Sequence, residues 1–547
     1  MTKLEIGSLD PRVRRYLLPT SVVWQSEGSA RPFGAAGLLE EGGVSCLMRF
    51  EDAPAGILLD FGREIHGGIQ ITNGPTPGHK PVPVRVRFGE SIAEAMGEPN
   101  QDHAIHDQVI LVPWYGHAEF GNTGFRYVQL DLVEQGSQLE IQKLRAVCVY
   151  RDLPYRGAFR CSDDLLNRIW DVGAYTVHLC MQDHLWDGIK RDRLVWIGDM
   201  HPETMVINTV FGNVDVVPES LDYVRDITPL PQWMNGISSY SLWWVIIQRC
   251  WHQYQGDMEY LKTQRDYLKN LLELLFTQMD EDGREQMGGG RFLDWPSSGD
   301  NSAIHAGLQA LLRLALQDGA ALCGVLGERD LEQRCREHAQ RLARHAPPHT
   351  PSKQANALCA LAGYGDATAI NRDILAKDPL HGISTFYGYY VLQARAMAGD
   401  YQGCLEVIRR FWGKMLELGA TTFWEDFNLA WAEDAVGIDQ IAPPGRKSIH
   451  ADYGDYCYKG LRHSLCHGWA AGPTAWLTEH VLGVRPLEAG CKTLRVQPHL
   501  GDLDFAEGRF PTPHGDVRIA HRKTASGETH SEWEAPSEVP IVTGANT

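Results

Sequence analysis

No stretch of the 547-residue sequence reaches the roughly 18 apolar residues that a membrane span requires. The opening Met1–Asp10 segment lacks the apolar core of a secretory leader, so neither a membrane partner nor export is expected, and the cytoplasm is the expected location. Paired cysteines are missing too. Twelve cysteines are scattered without CxxC units, and Cys180, Cys250, Cys323 and Cys359 sit in apolar helical surroundings. They read as buried free thiols in a reducing compartment, not as a disulfide frame. No basic stripe offsets the 69 acidic residues against 51 basic ones, and the resulting −18 disfavours nucleic acid and anionic membrane as partners.

Metal and nucleophile signatures are equally scarce. His201-Pro-Glu203 does not extend to HExxH, the other histidines are dispersed, and no metal is expected. Gly34–Gly37 and Gly288–Gly290 lack the GK[ST] ending and the strand-to-helix setting of a phosphate loop, and no GxSxG elbow occurs. Chemistry that carboxylates perform without a cofactor is left as the economical expectation.

The pattern of polarity divides the chain in three. Residues 1–157 carry short β-branched and aromatic segments (Gly56–Gly62, Gly67–Ile71, Val82–Phe88, Val109–Val112, Tyr127–Leu132), which predict a β-sandwich. Pro83 predicts an edge position or a bulge for its strand. Over residues 158–484 the period changes to 3.6, and the windows 163–181, 199–212, 217–227, 240–255, 257–279, 302–325, 328–344, 352–362, 367–375, 384–398, 402–417 and 468–482 read as helices. No repeat of 34 to 47 residues marks a solenoid, so six hairpins closed into an (α/α)6 barrel are preferred. Residues 485–547 return to β as a small domain with a frayed polar tail. Residues 426–460 form a long non-periodic insert, of a kind that is uncommon unless it covers a site.

The densest chemistry lies in Asp187–Asp199, where three carboxylates, three cations and Trp196 share thirteen residues. Opposed acids and bases beside an indole face suit a sugar-cleaving pocket, in which one acid protonates a leaving oxygen and an aromatic covers the apolar side of the ring. Asp192 and Asp187 head the candidates there, and Glu425, beside Trp424 and Asp426, is the best second carboxylate. Trp196 and Asp199, the Trp243/Trp244 pair, Asp294-Trp295 and His467 are supporting candidates, since each lies near a helix start or junction and could converge on one barrel mouth.

Taken in order, these stretches resemble the glycoside hydrolase family 78 α-L-rhamnosidases. Gly56–Ile71, Phe88-Gly-Glu-Ser and Thr123–Val128 are similar to the family's leading β domain. Asp187–Asp199 resembles its Asp-Cys-Pro-Gln-Arg-Asp-Glu-Arg-Leu-Gly-Trp-Thr-Gly-Asp signature, Ala420–Glu425 its Ala-Thr-Thr-x-Trp-Glu motif, and Ser464–His467 with Gly483–Lys492 its closing segment. The resemblance implies an inverting glycosidase of the six-hairpin kind, needing no cofactor. Asp192 would stand at the general-acid position and Glu425 at the general-base position. Asp187, Trp196, Asp199, Trp295 and His467 would contact sugar, with Trp244 near another such position and Lys190 or Arg191 near a conserved arginine. This chain departs from the pattern: its loop is one residue shorter, holds Asp where the family has Glu, and is followed by a longer insert.

The expected substrate is a small rhamnoside or related glycoside, with a homodimer left open. Two alternatives stand beside it. One is a six-hairpin glycosidase for another deoxy-sugar or a uronic acid, motivated by the Asp at the acid position; separately, Asp199 or Glu203 could be recruited as the acid in place of Asp192. The other is a sugar-binding homologue that has lost catalysis.

Overall fold

The computed structural model describes residues 9–98 and 107–544; residues 1–8, on which the leader expectation rests, and 545–547 lie outside the described residues. The amino-terminal strands are β1 (Arg12–Leu17), β2 (Ser21–Gln25), β3 (Cys46–Arg49), β4 (Gly56–Asn73), β5 (Val82–Gly89), β6 (Asp107–Val112), β7 (Gly116–Leu132) and β8 (Gln138–Arg151), with the short helix α1 (Ile92–Met96) after β5. They form one antiparallel sheet ordered β1-β8-β4-β7-β5-β6, in which β2 also pairs with β4 and β3 with β8. Strand β4 changes partners along its length: residues 57–60 lie against β2, residues 67–73 against β8, and β7 flanks both parts. The layers expected of a sandwich therefore come from one connected sheet with its own core, which includes Ile57, Leu59, Phe125, Val128 and Leu144.

Pro83 is not on an edge strand, because β5 lies between β6 and β7. Pairing with β7 begins only at Val84, so Pro83 has β6 alone as a neighbour and its missing N–H breaks no ladder on the other side.

After β9 (Ala158–Cys161) the chain is helical: α2 (Asp164–Cys180), α3 (Met200–Val210), α4 (Val216–Ile227), α5 (Ser238–Gln255), α6 (Met258–Phe276), α7 (Asn301–Leu326), α8 (Arg329–Leu342), α9 (Lys353–Leu361), α10 (Ala367–Ile370), α11 (Gly388–Met397), α12 (Tyr401–Val407), α13 (Gly413–Glu417) and α14 (Gly472–Trp476). Short polar side chains start several of them. Asp163 accepts from the N–H groups of Leu165 and Leu166, Asp257 from Tyr260, Asp300 from Ser302 and Ala303, and Ser352 from Ala355, satisfying donors that a helix leaves unpaired. Single π turns at 371–375, 408–412 and 477–481 continue α10, α12 and α14. Among the described residues, six helices touch in a closed cycle, α3-α5-α7-α9-α11-α14 and back to α3. An open solenoid would not close in this way.

The insert is not wholly irregular: β10 (Ala435–Val436) and β11 (Lys447–Ser448) pair within it. Two sheets finish the chain, built from β12 (Val484–Pro486), β13 (Leu494–Val496), β14 (Phe505–Thr512), β15 (Gly515–Lys523), β16 (Thr529–Glu534) and β17 (Ile541–Thr543). The larger is ordered β16-β15-β14-β9, so residues 158–161, grouped by sequence with the helices, belong to the carboxy-terminal sheet. The expected frayed tail is instead ordered, since β17 runs parallel to β13 and Val539 is buried behind it. Backbone pairing needs no apolar run, which is why polar composition misread this segment. Val484, Leu494, Phe510 and Val517 share one core with the helices.

Gly67, at the bulge of β4, has φ 141°, and a Cβ there would lie 1.9 Å from the carbonyl oxygen of Val147. The obstruction is paired backbone of β8, from Val147 to Val149, which cannot swing aside as a side chain could. Gly67→Ala is expected to destabilise the protein by about 3 kcal/mol or more in denaturant unfolding.

Candidate active site

Within the connection between α2 and α3, the loop 187–194 is closed by Asp187. The N–H of Asp187 donates to the Leu194 carbonyl at 3.0 Å, and Asp187 Oδ1 accepts from the Leu194 N–H at 2.9 Å. Between them the chain turns through Asp192 (φ 53°) and Arg193 (φ 57°), two consecutive left-handed residues. That conformation costs a non-glycine residue on the order of 1 kcal/mol. It makes the turn tight enough to leave Asp192 exposed at a mouth while Arg191 points inward.

The cavity behind that mouth has a volume of about 370 Å³, in the range of small-ligand sites. Its walls include Asp187, Arg191, Asp192, Trp196, Asp199, Tyr240, Trp295, Glu425, Tyr458, Arg462, His467 and Trp469. Many of these immediately precede or open a helix of the closed cycle: Asp199 before α3, Tyr240 in the first turn of α5, and His467 at the start of the last helix. Helix N-termini present unpaired N–H groups and partial positive charge, which favours carboxylates gathered there.

Glu425 is held at every polar atom. Its N–H donates to Ser464 O at 3.0 Å, and its carbonyl accepts from Thr385 Oγ1 at 2.7 Å and from Trp469 Nε1 at 2.9 Å. Arg191 Nη2 donates to Glu425 Oε1, and the Ser464 N–H donates to Oε2 at 3.2 Å. The other arm of the same guanidinium, Nη1, lies 3.3 Å from Asp192 Oδ1. Burial raises the pKa of Glu425 above its ordinary value, and Arg191 works against that shift.

His467 Nε2 is surrounded by carboxyls, 3.4 Å from Glu425, 3.6 Å from Asp187 and 3.9 Å from Asp199. Burial and the Arg191 charge push its pKa well below the usual imidazole value, so the ring is neutral. Burial likewise raises Asp187 and Asp199 well above the carboxylate range; for Asp187 the next cause is the Asp199 charge, while the Tyr240 hydroxyl, 3.2 Å from Asp199, pulls Asp199 back. The chemical outcome is one buried carboxylate stabilised by a guanidinium, two carboxyls that favour their neutral form and can donate to hydroxyls, and aromatic walls from Trp196, Trp295 and Tyr458.

The structure thus brings Asp187, Arg191, Asp192, Trp196, Asp199, Trp295, Glu425 and His467 to one cavity. Trp244 is not among them. It is fully buried, its Nε1 donates to the Leu221 carbonyl at 3.3 Å, and it packs against Tyr267. Its neighbour Trp243 stacks against both His201 and Tyr390, which also stack on each other, on a separate cavity of about 480 Å³ that also holds Arg249, Tyr254 and Glu479 from the far ends of the helices. Adjacent positions on α5 point to different faces, and the face that meets the active cavity starts one turn earlier, at Tyr240. Glu203, considered as an alternative acid, is wholly buried, its carboxyl has no hydrogen-bond partner among the described residues, and it does not line the cavity. Of Lys190 and Arg191, only Arg191 reaches it.

Sequence reasoning missed Tyr240, Phe292, Tyr458, Arg462 and Trp469. Tyr458 and Arg462 come from the insert and its end, so the length of that insert was the available signal. Trp295 Nε1 donates to Tyr458 Oη at 2.5 Å, tying the insert to the wall opposite. Among the described residues, one group could hold a metal, Glu90 with Glu94 and His450, and it lies outside this cavity.

The family model for the bacterial alpha-L-rhamnosidase 6 hairpin glycosidase domain matches residues 154–349, and that for the bacterial alpha-L-rhamnosidase C-terminal domain matches residues 483–542. An alpha-L-rhamnosidase of Alteromonas sp. (strain LOR) is 28% identical over 145 residues, which cover 25% of this chain and 14% of that protein. A family 78 rhamnosidase of Bacillus sp. GL1 superposes with TM-score 0.77 at 24% identity, covering 93% of this chain and 55% of that one. A Klebsiella oxytoca rhamnosidase with rhamnose bound gives TM-score 0.69 at 21% identity over 86% and 96% of the two chains. These likenesses extend the shared fold to the sheets at both ends of the chain. The chain spans about half the length of the Bacillus enzyme and far less of the Alteromonas one.

Because Asp187 favours its neutral form and serves the loop as an acceptor, Asp187→Asn should change stability by less than about 1 kcal/mol. Asp187→Ala leaves the Leu194 N–H unpaired and should cost about 1–3 kcal/mol. Urea unfolding of the two variants measures the difference.

Proposed function

With residues 154–349 and 483–542 belonging to the bacterial α-L-rhamnosidase six-hairpin and C-terminal domain families, we propose that this chain is an inverting exo-glycosidase. It removes a terminal, non-reducing α-L-rhamnosyl unit from short glycosides on an (α/α)6 barrel whose inner wall is the closed helix cycle. The observation that carries the reading is the Arg191 guanidinium, with one arm on Glu425 and the other on Asp192. The shared guanidinium keeps both carboxyls on one cavity, and an inverting mechanism would use them about 6.5–9.5 Å apart, with a water between base and sugar.

Glu425, deep in the cavity and paired with a cation, is the base that takes a proton from that water. Asp192, at the exposed mouth where an aglycone would leave, gives its proton to the departing oxygen. Each carboxyl ends in the protonation state the other began with, and exchange with solvent resets both. Neutral Asp187 and Asp199 can hydrogen-bond ring hydroxyls, while Trp196 and Trp295 offer apolar faces for the ring and the C5 methyl group. A cavity of about 370 Å³ has room for a single terminal sugar ring, in keeping with exo action.

A second reading is favoured by Arg462, a further guanidinium on the cavity wall, oriented by its Nε–H bond to the Cys457 carbonyl at 2.9 Å. It could pair with the carboxylate of a uronic acid. A panel of aryl glycosides decides between the sugars, and a rise in Tm with rhamnose but no turnover of any member would indicate a binding protein.

Glu425→Gln should lower the kcat of aryl α-L-rhamnoside hydrolysis by about 10³-fold, and equal rates in variant and wild type would remove Glu425 from the mechanism. Asp192→Asn should cost about 10²-fold or more on an alkyl rhamnoside yet under about tenfold on a dinitrophenyl one, whose leaving group needs no proton. Activity should fall as pH drops through the raised pKa of Glu425, which must be ionised to act. Arg191→Gln removes the charge that lowers that pKa, so the acid limb of the pH–rate profile should move to higher pH.

A further inference from the structure

Lys190 stands beside Arg191 in sequence but faces away from the cavity. Its side chain is 3% exposed, and Nζ donates to the carbonyl oxygens of Leu461 and His463, each at 2.7 Å. The same ammonium lies 2.8 Å from Glu94 Oε1 and 3.4 Å from Glu90 Oε2. An ammonium has three donors, and here all are used. Glu90 follows β5 and Glu94 lies in α1, so both carboxylates come from the amino-terminal sheet domain.

That domain also reaches the 461–467 segment directly. Glu90 Oε2 accepts from the Leu465 N–H at 2.6 Å, and Oε1 lies 3.4 Å from Ser464 Oγ. Ser91 Oγ is 2.7 Å from His450 Nδ1, and His450 Nε2 is 2.9 Å from the His463 carbonyl. Both ring nitrogens of His450 are therefore engaged, and the Lys190 ammonium sits against the two carboxylates. The Glu90, Glu94 and His450 group, which could otherwise hold a metal ion, already has its cation.

On the other side of this cluster are the groups that fix Glu425. The Ser464 backbone holds it twice, its carbonyl accepting from the Glu425 N–H at 3.0 Å and its N–H donating to Glu425 Oε2 at 3.2 Å. The Asp426 N–H donates to His463 Nε2 at 2.9 Å, and Arg191 follows Lys190. A buried ammonium is tolerated only where its charge and donors are matched, so its four acceptors fix its place in the fold.

We propose that Lys190 is a positioning residue through which the amino-terminal sheet domain sets the geometry around Glu425. By gripping Glu90 and Glu94 with one side and the Leu461 and His463 carbonyls with the other, it locks the Arg191 loop and the Ser464–His467 segment in mutual register. The amino-terminal domain is thereby part of the working site. The activity consequence rests on the proposed role of Glu425; the structural consequence does not.

Lys190→Met alone would leave two buried carboxylates without their cation, so the test is the full-length double variant Lys190→Met with Glu94→Gln, against wild type and Glu94→Gln alone. Hydrogen–deuterium exchange of peptides covering 187–199 and 459–468 is measured together with kcat and KM on an aryl α-L-rhamnoside. The double variant should exchange about tenfold faster or more in both peptides, and kcat should fall about 10²-fold with KM within about threefold of wild type. Unchanged exchange overturns the proposal, and so does faster exchange with an unmoved kcat. Should the double variant fail to fold, Lys190→Arg keeps the charge but not the compact ammonium; faster exchange with a lowered kcat is again expected, and either of the two contrary results again overturns the proposal. If wild type hydrolyses no rhamnoside, the functional reading fails while the exchange result still decides the positioning role.

Discussion

Burying Asp187, Asp199 and Glu425 around one small cavity makes ionisation costly at each of them, and the pairing with Arg191 works against that cost at Glu425. Desolvation alone would favour the neutral acid at every one of these positions. The guanidinium on Glu425 Oε1 and the Ser464 N–H on Oε2 pull one of them back toward the carboxylate. Asp187 and Asp199 have no comparable cation among the described residues, and burial favours their neutral form. His467, within 4 Å of all three, stays uncharged because burial and Arg191 both oppose its protonation. The division of labour among chemically similar side chains is thus an electrostatic consequence of where one arginine points.

Keeping that arginine in place draws on structure well beyond the cavity. The loop carrying it is pinned at its ends by Asp187 and Leu194, and at its turn it accepts two left-handed residues. The segment facing it is tied to the sheet domain through Glu90 and to the insert through His450. The helix cycle contributes the N-terminal ends that gather around the carboxyls. A domain with its own separate core and a domain of helices meet at one network of buried charges, each half of which is costly without the other.

The loop that is one residue shorter than the signature it resembles turns through Asp192 and Arg193 in the left-handed region, leaving the Asp192 side chain 35% exposed on the cavity wall. The Trp243/Trp244 pair teaches the opposite lesson. Indole-rich sequence near a helix start suggested a sugar platform, yet on an inner helix only one narrow stripe faces the cavity, and the hydroxyl of Tyr240 occupies it. Register on a helix, set by packing of α5 against α3 and α7, was not readable from composition.

Helical and extended regions were legible because periodicity is local: the windows read as helices all hold helix within a few residues of their expected ends, and both β regions are present. The short motifs at 187–199, 420–425 and 464–467 likewise named seven residues of the cavity wall, since each motif is a contiguous run. What the sequence by itself determined was therefore the list of parts and their chemistry. Only the tertiary structure decided that Asp192 and Glu425 share one guanidinium, that Lys190 serves the sheet domain while Arg191 serves the cavity, and that Tyr458 closes the far wall. Those outcomes depend on distances between segments hundreds of residues apart and on how much water each carboxyl loses, and neither quantity is encoded in any local stretch of the chain.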